Sequence, residues 1–213
     1  MPNPTKPQDE NKFSPSDWST YYKICMGRPP RHTLLRALEC FNVNSSSTES
    51  RFAVDLGFGT GRDTIELLER GWQVLAIDSQ KEAIDCLLSY PKLALEGLET
   101  RICCFEELIL PKSIDLVNAS FSLPFCSPEY FGDFWEKIVF SLRCGGRFCG
   151  QFFDDRDSWA TRTSMSHHTR EQVEELLQAF EIEFFEEEDY LGKTALDEQK
   201  NWHIFHIVAC KLR

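Results

Sequence analysis

The sequence lacks two features that would assign it to the membrane or to the secretory pathway. It contains no run of eighteen apolar residues, so we expect no membrane-spanning helix. Its first twelve residues are polar, hold three prolines and have no apolar segment of the kind that a secretory signal needs. We expect residues 1–12 to form a flexible tail in front of a single domain, residues 13–213.

Positive charge is also scarce. Lys and Arg number 23 against 34 Asp and Glu, which gives a formal net charge of −11. Proteins that bind nucleic acid need basic patches, so this balance argues against nucleic acid and against anionic membranes as partners. The excess of acids promotes solubility, or it attracts a cationic ligand.

The cysteines show neither a disulfide framework nor a metal-binding pattern. There are nine, an odd number, and no Cys-x-x-Cys spacing occurs. We expect most of them to be small, buried apolar residues in a reducing compartment, which favours a cytoplasmic protein without a bound metal.

Strand-like and helix-like segments alternate from residue 51 onward. The predicted strands are 51–56, 73–77, 101–105, 114–119, 147–153, 181–186 and 202–210. The predicted helices are 31–41, 62–70, one that follows a capping box at 79–82, 128–142, and one from a second box at 169–172 to about 179. This alternation predicts a doubly wound α/β fold, an α/β/α sandwich with helices on both faces of a mostly parallel sheet.

The last two predicted strands have no helix between them. Consecutive strands without a crossover must be antiparallel. We therefore expect a seven-stranded sheet in which the last strand runs opposite to the others.

A glycine-rich turn, VDLGFGTGRD, follows the first predicted strand. Ligands bind at this position of a doubly wound sheet, and glycine lets the backbone come close to them. The spacing Gly57-x-Gly59-x-Gly61 is one residue shorter than the dinucleotide fingerprint, and Asp55 precedes it. An acid here would repel a pyrophosphate and attract an ammonium group. Asp78 ends the second strand, where an acid can accept hydrogen bonds from ribose hydroxyls.

Three segments resemble motifs of class I S-adenosylmethionine (SAM)-dependent methyltransferases. VDLGFGTGRD, LAIDSQ and SIDLVNASFSLPF are similar to the first, second and fourth motifs of that family, and the resemblance covers residues 51–213. It implies a Rossmann-like fold, SAM as cofactor, and one methyltransferase domain over residues 13–213. GRFCGQFFDDRDSWA, MSHHTREQVEELL and NWHIFHIVACK further resemble a bacterial subgroup of small-molecule and tellurite-resistance-type methyltransferases.

The resemblance also implies roles for individual residues. Gly57, Gly59 and Gly61 line the methionine part of SAM, and Asp55 lies beside its ammonium group. The other implied cofactor residues are Asp78 and Ser79 at the ribose and adenine edge, Phe105 and Glu106 at adenine, and Asn118 and Ala119 near the methyl group. The loop CCFEEL departs from the acid and small-residue pair that is more common in the family, which leaves Phe105 and Glu106 less secure.

The acceptor should lie at the carboxyl ends of the parallel strands and at the amino end of the reversed one. This places Phe121, Phe153, Asp154 and Trp202 at the substrate pocket, and His203 beside them as a base or merely a polar strand end.

The N-terminal helical segment, residues 13–50, precedes the sheet. It either covers the cofactor and shapes the acceptor pocket or packs as an aromatic helix on the sheet edge. As a cover it would bring Trp18 and Tyr22 to the substrate, and Arg28 to the SAM carboxylate.

Methyl transfer from a sulfonium is an in-line displacement that depends mainly on orientation. A base is needed only when the acceptor atom carries a proton. Because little of the chain lies outside the predicted core to form a macromolecule-binding surface, we expect transfer to a small-molecule acceptor. A non-catalytic SAM-binding module and an NAD-dependent oxidoreductase remain as alternatives.

Overall fold

The computed structural model describes residues 15–43, 50–91 and 95–212. The helices are α1 Pro15–Cys25, α2 His32–Val43, α3 Arg62–Glu69, α4 Lys81–Leu88, α5 Pro128–Ser141 and α6 Arg170–Leu176. The strands are β1 Phe52–Leu56, β2 Gln73–Asp78, β3 Leu98–Ile102, β4 Ile114–Ala119, β5 Leu142–Phe153, β6 Phe180–Lys193 and β7 Gln199–Lys211. The predicted tail, residues 1–12, lies outside the described ranges. None of the helices within these ranges has the length and apolarity that a bilayer-spanning helix needs.

The seven strands form one sheet in the order β3-β2-β1-β4-β5-β7-β6. Strands β1 to β5 are parallel to one another, and β7 is antiparallel to both β5 and β6. The predicted α/β/α fold with a reversed last strand is therefore confirmed.

Alternating side chains of the central strands supply the cores on the two faces of the sheet. On β1, Val54 and Leu56 pack on the face that α5 covers. Ala53 points to the other face and packs with residues of α2, α3 and α4. Because β1, β2 and β4 are parallel, their carboxyl ends lie together at one edge of the sheet.

The third strand begins and ends earlier than predicted. It spans Leu98–Ile102, not 101–105, because Gly97 adopts a φ of +86° and turns the chain into pairing with β2. Phe105 instead starts a short 3-10 helix, Phe105–Glu107. The apolar residues at 103–105 thus belong to a loop at the carboxyl edge.

Two local predictions differ in outcome. The capping box at residues 169–172 is present, with Thr169 and Gln172 bonded reciprocally. The capping box predicted at residues 79–82 is absent, because the N-cap residue of the helix is Gln80 and its side chain makes no capping hydrogen bond. Asp78 accepts from the Gln80 backbone N–H at 2.9 Å, and the Ser79 hydroxyl accepts from the Gln80 amide at 3.0 Å, so both side chains are bonded elsewhere.

The last two strands are much longer than predicted, with 14 and 13 residues. Their hairpin therefore extends past the carboxyl edge of the sheet. The expectation that most cysteines are buried is wrong: all nine are free thiols, but only Cys25, Cys126 and Cys149 are buried.

Candidate active site

A cavity of about 360 Å³ opens at the carboxyl edge of the parallel strands. Its walls are the glycine loop after β1, the loops after β2, β3, β4 and β5, helix α1 and the tip of the β6–β7 hairpin. This is the position at which doubly wound sheets bind ligands. Its volume lies in the range of small-ligand sites.

The glycines of the loop serve different purposes. Gly57 and Gly59 line the cavity, while Gly61 does not. All three have positive φ values, of +68°, +58° and +81°. A Cβ on Gly57 would lie 2.5 Å from the Cβ of Ser122, and one on Gly61 would lie 2.5 Å from Leu87. Gly61 is therefore required by helix packing, whereas Gly59 keeps the backbone open to the cavity.

Asp55 is almost fully buried at the floor of the cavity. It accepts hydrogen bonds from the Thr64 hydroxyl at 2.6 Å and from the Asn118 amide at 2.8 Å. Burial, with neighbouring Asp63 as the next cause, raises the pKa of Asp55 to about 7. Keeping this carboxylate ionised is costly, and a cationic group beside it would lower that cost.

Asp78 lies at the end of β2 and accepts from two backbone amides, Gly59 at 3.0 Å and Gln80 at 2.9 Å. The Tyr22 hydroxyl of α1 donates to the same carboxylate at 3.3 Å. Burial raises the pKa of Asp78, although these hydrogen bonds oppose the shift. The carboxylate is thus held rigidly with its oxygens directed towards the cavity wall that α1 forms.

Helix α1 covers this end of the cavity through its aromatic residues. Trp18 stacks on Tyr22, with ring centroids 6.2 Å apart and planes 24° apart. Both residues line the cavity, together with Tyr21. The N-terminal segment thus lies on the cavity as well as packing on the sheet, so the two predicted roles are not exclusive.

Two arginines between α1 and α2 differ sharply in their surroundings. Arg28 lines the cavity but is exposed. The Arg31 guanidinium lies 4.1 Å above the Phe121 ring, and its Nε is buried with no hydrogen-bond partner among the described residues. Burial and the nearby Arg62 lower the pKa of Arg31. Arg31, which the sequence did not single out, is therefore better placed than Arg28 to bind a carboxylate in the cavity.

The loop after β3 closes the side of the cavity next to Asp78. Phe105 and Glu106 both line it, as does Ser79. The Phe105 ring stacks on Phe134 of α5, with centroids 4.9 Å apart and planes 18° apart. The loop therefore has a firm apolar support although β3 ends before it.

The opposite end of the cavity is aromatic. Phe121, Phe153 and Trp202 line it, and their ring centroids lie 5.8–6.5 Å apart. Phe121 has a φ of +57°, which is unusual for a residue with a side chain. Its N–H donates to the Gln151 side chain at 2.9 Å, and this bond holds the strained turn that presents the ring.

Two predicted cofactor residues, Asn118 and Ala119, do not line the cavity. Asn118 lies directly behind it, where its amide donates to Asp55 and to Asp63. It can therefore position those carboxylates without touching a ligand. Ala119 is fully buried in the core.

Two predicted acceptor-site residues, His203 as a possible base and Asp154 at the substrate pocket, do not line the cavity. Successive side chains of a strand point to opposite faces, so Trp202 faces the cavity while His203 faces away from it. The His203 ring is fully buried, with Nε2 2.7 Å from Glu187, and Asp154 accepts from Arg156 at 2.8 Å.

Several cavity residues escaped the sequence analysis because they depend on elements whose length or position it could not fix. The hairpin tip contributes one such group, and short helices and turns contribute the others. These residues are Tyr190, Lys193, Thr194, Ala195 and Leu196 on the hairpin, and Phe58, Arg31, Asp63, Ser120, Ser122 and Phe125 elsewhere. An unbroken β pattern on both sides of residues 194–198 was the available signal for the hairpin.

Comparison with known protein families identifies the central part of the chain. Residues 53–146, which hold the glycine loop and β1 to β4, match a family model described as a methyltransferase domain. No curated protein matches the sequence.

Solved structures share the fold at low sequence identity. TehB from Haemophilus influenzae is 15% identical with a TM-score of 0.66, over 82% of this chain and 61% of TehB. This chain thus spans less than two thirds of that protein. A Burkholderia thailandensis 1,6-didemethyltoxoflavin-N1-methyltransferase, solved with its substrate and S-adenosylhomocysteine, is 19% identical with a TM-score of 0.59, over 85% and 79% of the two chains. A Haloferax volcanii methyltransferase in complex with the Trm112 activator is 14% identical with a TM-score of 0.66, over 93% and 96%.

Residues 53–146 are thus similar to a methyltransferase domain. Its sheet order and reversed last strand are those of the Rossmann-like class I SAM-dependent methyltransferases. The family match and the fold together support SAM as the cofactor.

Proposed function

We propose that this protein transfers a methyl group from SAM to a small-molecule acceptor. The observation that carries the proposal is the pair of buried carboxylates, Asp55 and Asp78, on either side of a glycine loop at the carboxyl edge of the sheet. SAM has an amino-acid end with an ammonium group and a nucleoside end with ribose hydroxyls. Asp55 can bind the ammonium group, and Asp78 can accept from the ribose hydroxyls.

The residues present fit the cofactor. Asp55 would hold the ammonium group, and its raised pKa is the cost that a cationic partner would offset. Arg31, whose Nε has no partner among the described residues, would hold the carboxylate. Asp78 would accept from the ribose, with Phe105 at the adenine. When bound, SAM supplies an electrophilic methyl group on a positively charged sulfur.

The chain's own contribution to the reaction is orientation and exclusion of water. The leaving thioether is neutral, so no side chain has to protonate it. Phe121, Phe153 and Trp202 form an apolar wall beyond the glycine loop, against which an acceptor can be positioned. No histidine is among the described residues that line the cavity. This composition suits an acceptor atom that arrives without a proton, such as a thiolate or an aromatic nitrogen.

A small acceptor agrees with the size and closure of the cavity. Its volume is about 360 Å³, and the hairpin tip and α1 flank it on two sides. The structural neighbour from Burkholderia is a 1,6-didemethyltoxoflavin-N1-methyltransferase that was solved with 1,6-didemethyltoxoflavin bound. Membership of a bacterial tellurite-resistance-like subgroup, a cytoplasmic location and the absence of nucleic-acid or membrane partners are part of the same proposal.

Calorimetric titration of the purified protein with SAM and with S-adenosylhomocysteine tests the cofactor. We expect micromolar dissociation constants for both. An acceptor screen with thiols, chalcogen oxyanions, small carboxylates and nitrogen heterocycles then follows S-adenosylhomocysteine formation. Tight cofactor binding without product from any acceptor class would favour a SAM-binding module, and tight NADH binding without SAM binding would contradict the proposal.

A further inference from the structure

The floor of the cofactor end holds a second buried carboxylate beside that of Asp55. Asp63 is the second residue of α3, it lines the cavity, and its exposed fraction is 3%. The sequence analysis did not single it out. Among the described residues, five acidic side chains line the cavity, namely Asp17, Asp55, Asp63, Asp78 and Glu106. Asp55 and Asp63 differ from a loose group of acids because one side chain joins them.

The side-chain amide of Asn118 holds the two carboxylates together. Its nitrogen donates to Asp55 at 2.8 Å and to Asp63 at 3.1 Å. Its oxygen accepts from the Ser120 hydroxyl at 3.1 Å and from the Cys149 thiol at 3.1 Å. Because both groups next to the oxygen are donors, the amide is fixed with its NH₂ group towards the carboxylates.

The other hydrogen-bond donors to the pair are neutral as well. The Thr64 hydroxyl donates to Asp55 at 2.6 Å, and the backbone N–H of Arg31 donates to Asp63 at 2.8 Å. Neutral donors satisfy lone pairs, but they do not cancel the charge of a buried carboxylate. A carboxylate oxygen can also accept more than one hydrogen bond. Two adjacent carboxylates of this kind favour either a bound cation or a shared proton.

The charged and titratable groups that face the pair from other elements do not replace such a cation. Asp78 of β2 raises the pKa of Asp55 further, although less than Asp63 does. Cys149 of β5 stays neutral, because burial raises the pKa of its thiol well above the ordinary value. The Arg31 guanidinium attracts Asp63, and in the proposed function it holds the cofactor carboxylate.

From this geometry we infer that Asp63 and Asp55 form one anionic site for the ammonium group of the cofactor, and that binding expels a proton from this pair. The proton passes to the solvent, and the ammonium group takes its place between the carboxylates. Asp63 is a binding residue, whereas Asn118 is a positioning residue that acts through both carboxylates. This inference rests on the proposed function and assigns its ammonium site to two carboxylates in place of one.

The size of the proton release follows from the pKa of Asp55, which burial and Asp63 raise to about 7. About half of the unliganded molecules therefore carry the proton at pH 7, whereas the bound ammonium keeps the pair ionised. S-adenosylhomocysteine should thus release about half a proton per bound molecule at pH 7. The amino group of the ligand is already protonated at that pH, so it contributes little to the count.

The test is calorimetric titration with S-adenosylhomocysteine at pH 7 in phosphate, HEPES and Tris buffers, whose ionisation enthalpies differ. The dependence of the observed enthalpy on the buffer gives the number of protons released. The matched ligand is 5′-methylthioadenosine, which lacks the amino-acid part, and it should release less than about a fifth as much. Equal release with both ligands would place the titrating group at the ribose end. That result, or binding of S-adenosylhomocysteine without proton release, would overturn the inference.

Asp63→Asn removes one charge from the pair and keeps an oxygen for the backbone N–H of Arg31. The pKa of Asp55 should fall, so proton release at pH 7 should drop to less than about half of the parent value. The affinity for S-adenosylhomocysteine at pH 7.5 should fall at least about threefold, while that for 5′-methylthioadenosine changes less than about twofold. Glu69→Gln makes the same change of charge at an exposed position of the same helix outside the cavity, and it should alter neither ligand's binding. Parental proton release in Asp63→Asn would overturn the inference.

Thr64→Val tests the sign. Valine has nearly the shape of threonine, but it lacks the hydroxyl that favours the ionised form of Asp55. Proton release at pH 7 should therefore rise above the parent value, opposite to the change in Asp63→Asn. A general loosening of the site would move both variants in the same direction, and that result would also overturn the inference. Absence of S-adenosylhomocysteine binding in the parent protein would count against the proposed function, whereas intact binding without these opposite shifts would count against this inference alone.

Discussion

The two ends of the cavity are built on opposite principles. The cofactor end, around Asp55 and Asp78, uses carboxylates and backbone amides that lie within one β-α-β unit. The acceptor end, around Phe121 and Trp202, uses rings that are 81 residues apart in the chain. The first needs a local backbone geometry, and the second needs the whole sheet to be assembled.

This difference explains why a cofactor site is easier to recognise in a sequence than an acceptor site. A loop that approaches a ligand with its backbone requires glycine at particular positions, and few sequences satisfy that requirement by chance. An aromatic wall requires only large apolar side chains, which also occur throughout the core. The chemical identity of the acceptor is therefore carried by the tertiary structure.

The largest expected effect separates the two ends by removing Asp78. Asp78→Ala should weaken SAM binding by about 1–3 kcal/mol, or roughly 5- to 150-fold in Kd, as expected for loss of hydrogen bonds to a charged acceptor. Trp202→Leu, which removes a ring at the acceptor end, should change the affinity for SAM less than twofold. Calorimetric titration measures the SAM dissociation constant of both variants.

Asp133→Ala, at an exposed position on α5, is the matched control and should leave the SAM affinity unchanged. An unaltered SAM affinity in Asp78→Ala would mean that the ribose does not bind where β2 ends. A comparable loss of SAM affinity in Trp202→Leu would mean that the two ends are coupled, which would break the comparison.

The fold was more predictable than the site, and particular elements show why. The bounds of β4 could be predicted to the residue, because its mostly apolar segment, IDLVNA, lies between Ser113 and Ser120. The predicted position of β3 was too late in the chain because the apolar residues at 103–105 lie in the loop that follows the strand. The strand itself is at the edge of the sheet and has a weaker burial pattern. Periodicity reports burial, and it cannot distinguish burial under a loop from burial in a sheet.

The site residues likewise differ in whether a local sequence motif identifies them or only their tertiary contacts do. Asp55, Gly57 and Gly59 come from a motif whose spacing is visible in the sequence, and they do line the cavity. Arg31 has no such local signature, since its importance arises from the Phe121 ring beneath it and from its unpaired Nε. His203 does not line the cavity, because one step along β7 reverses the direction of a side chain.

A smaller effect, the pH dependence of ligand affinity, tests the electrostatic contribution of Asp55 to the cofactor end. The pKa of Asp55 is raised to about 7, so the carboxylate is mostly protonated at pH 5.5 and mostly ionised at pH 7.5. Binding of an ammonium needs the ionised form. The affinity for S-adenosylhomocysteine should therefore fall roughly tenfold between pH 7.5 and pH 5.5, since proton uptake competes with the ligand. Asp55→Asn should bind weakly at both pH values.

The stability of the unliganded fold should change with pH in the opposite direction to the ligand affinity. A carboxylate whose folded-state pKa is raised stabilises the fold below its unfolded pKa, and this contribution is lost as the pH rises through about 7. Asp55→Asn avoids the cost of ionisation, so its Tm without ligand should exceed that of the parent protein more at pH 8 than at pH 5. A Tm difference that is larger at pH 5 would contradict the assignment of the raised pKa to Asp55.

The smallest expected effect on methyl transfer concerns His203, which is next to Trp202 on β7 but does not line the cavity. Its ring is fully buried and contacts Glu187 and Asp154, and it does not line the cavity. His203→Gln should lower the free energy of unfolding in urea by about 1–3 kcal/mol, because the buried Asp154 carboxylate and the more exposed Glu187 carboxylate lose a partner. The rate of S-adenosylhomocysteine formation, measured from pH 6 to 9 with an acceptor from the screen, should stay within about threefold.

His32→Gln is the matched control, since the His32 ring is 48% exposed and its 3.8 Å contact with Glu186 is at the surface. It should change neither stability nor rate by a measurable amount, as expected for an exposed ion pair. A hundredfold loss of rate in His203→Gln, with an unchanged Kd for SAM, would restore His203 as a general base. The acceptor end would then contain a proton acceptor after all, and the comparison between a polar cofactor end and an apolar acceptor end would have to be redrawn around it.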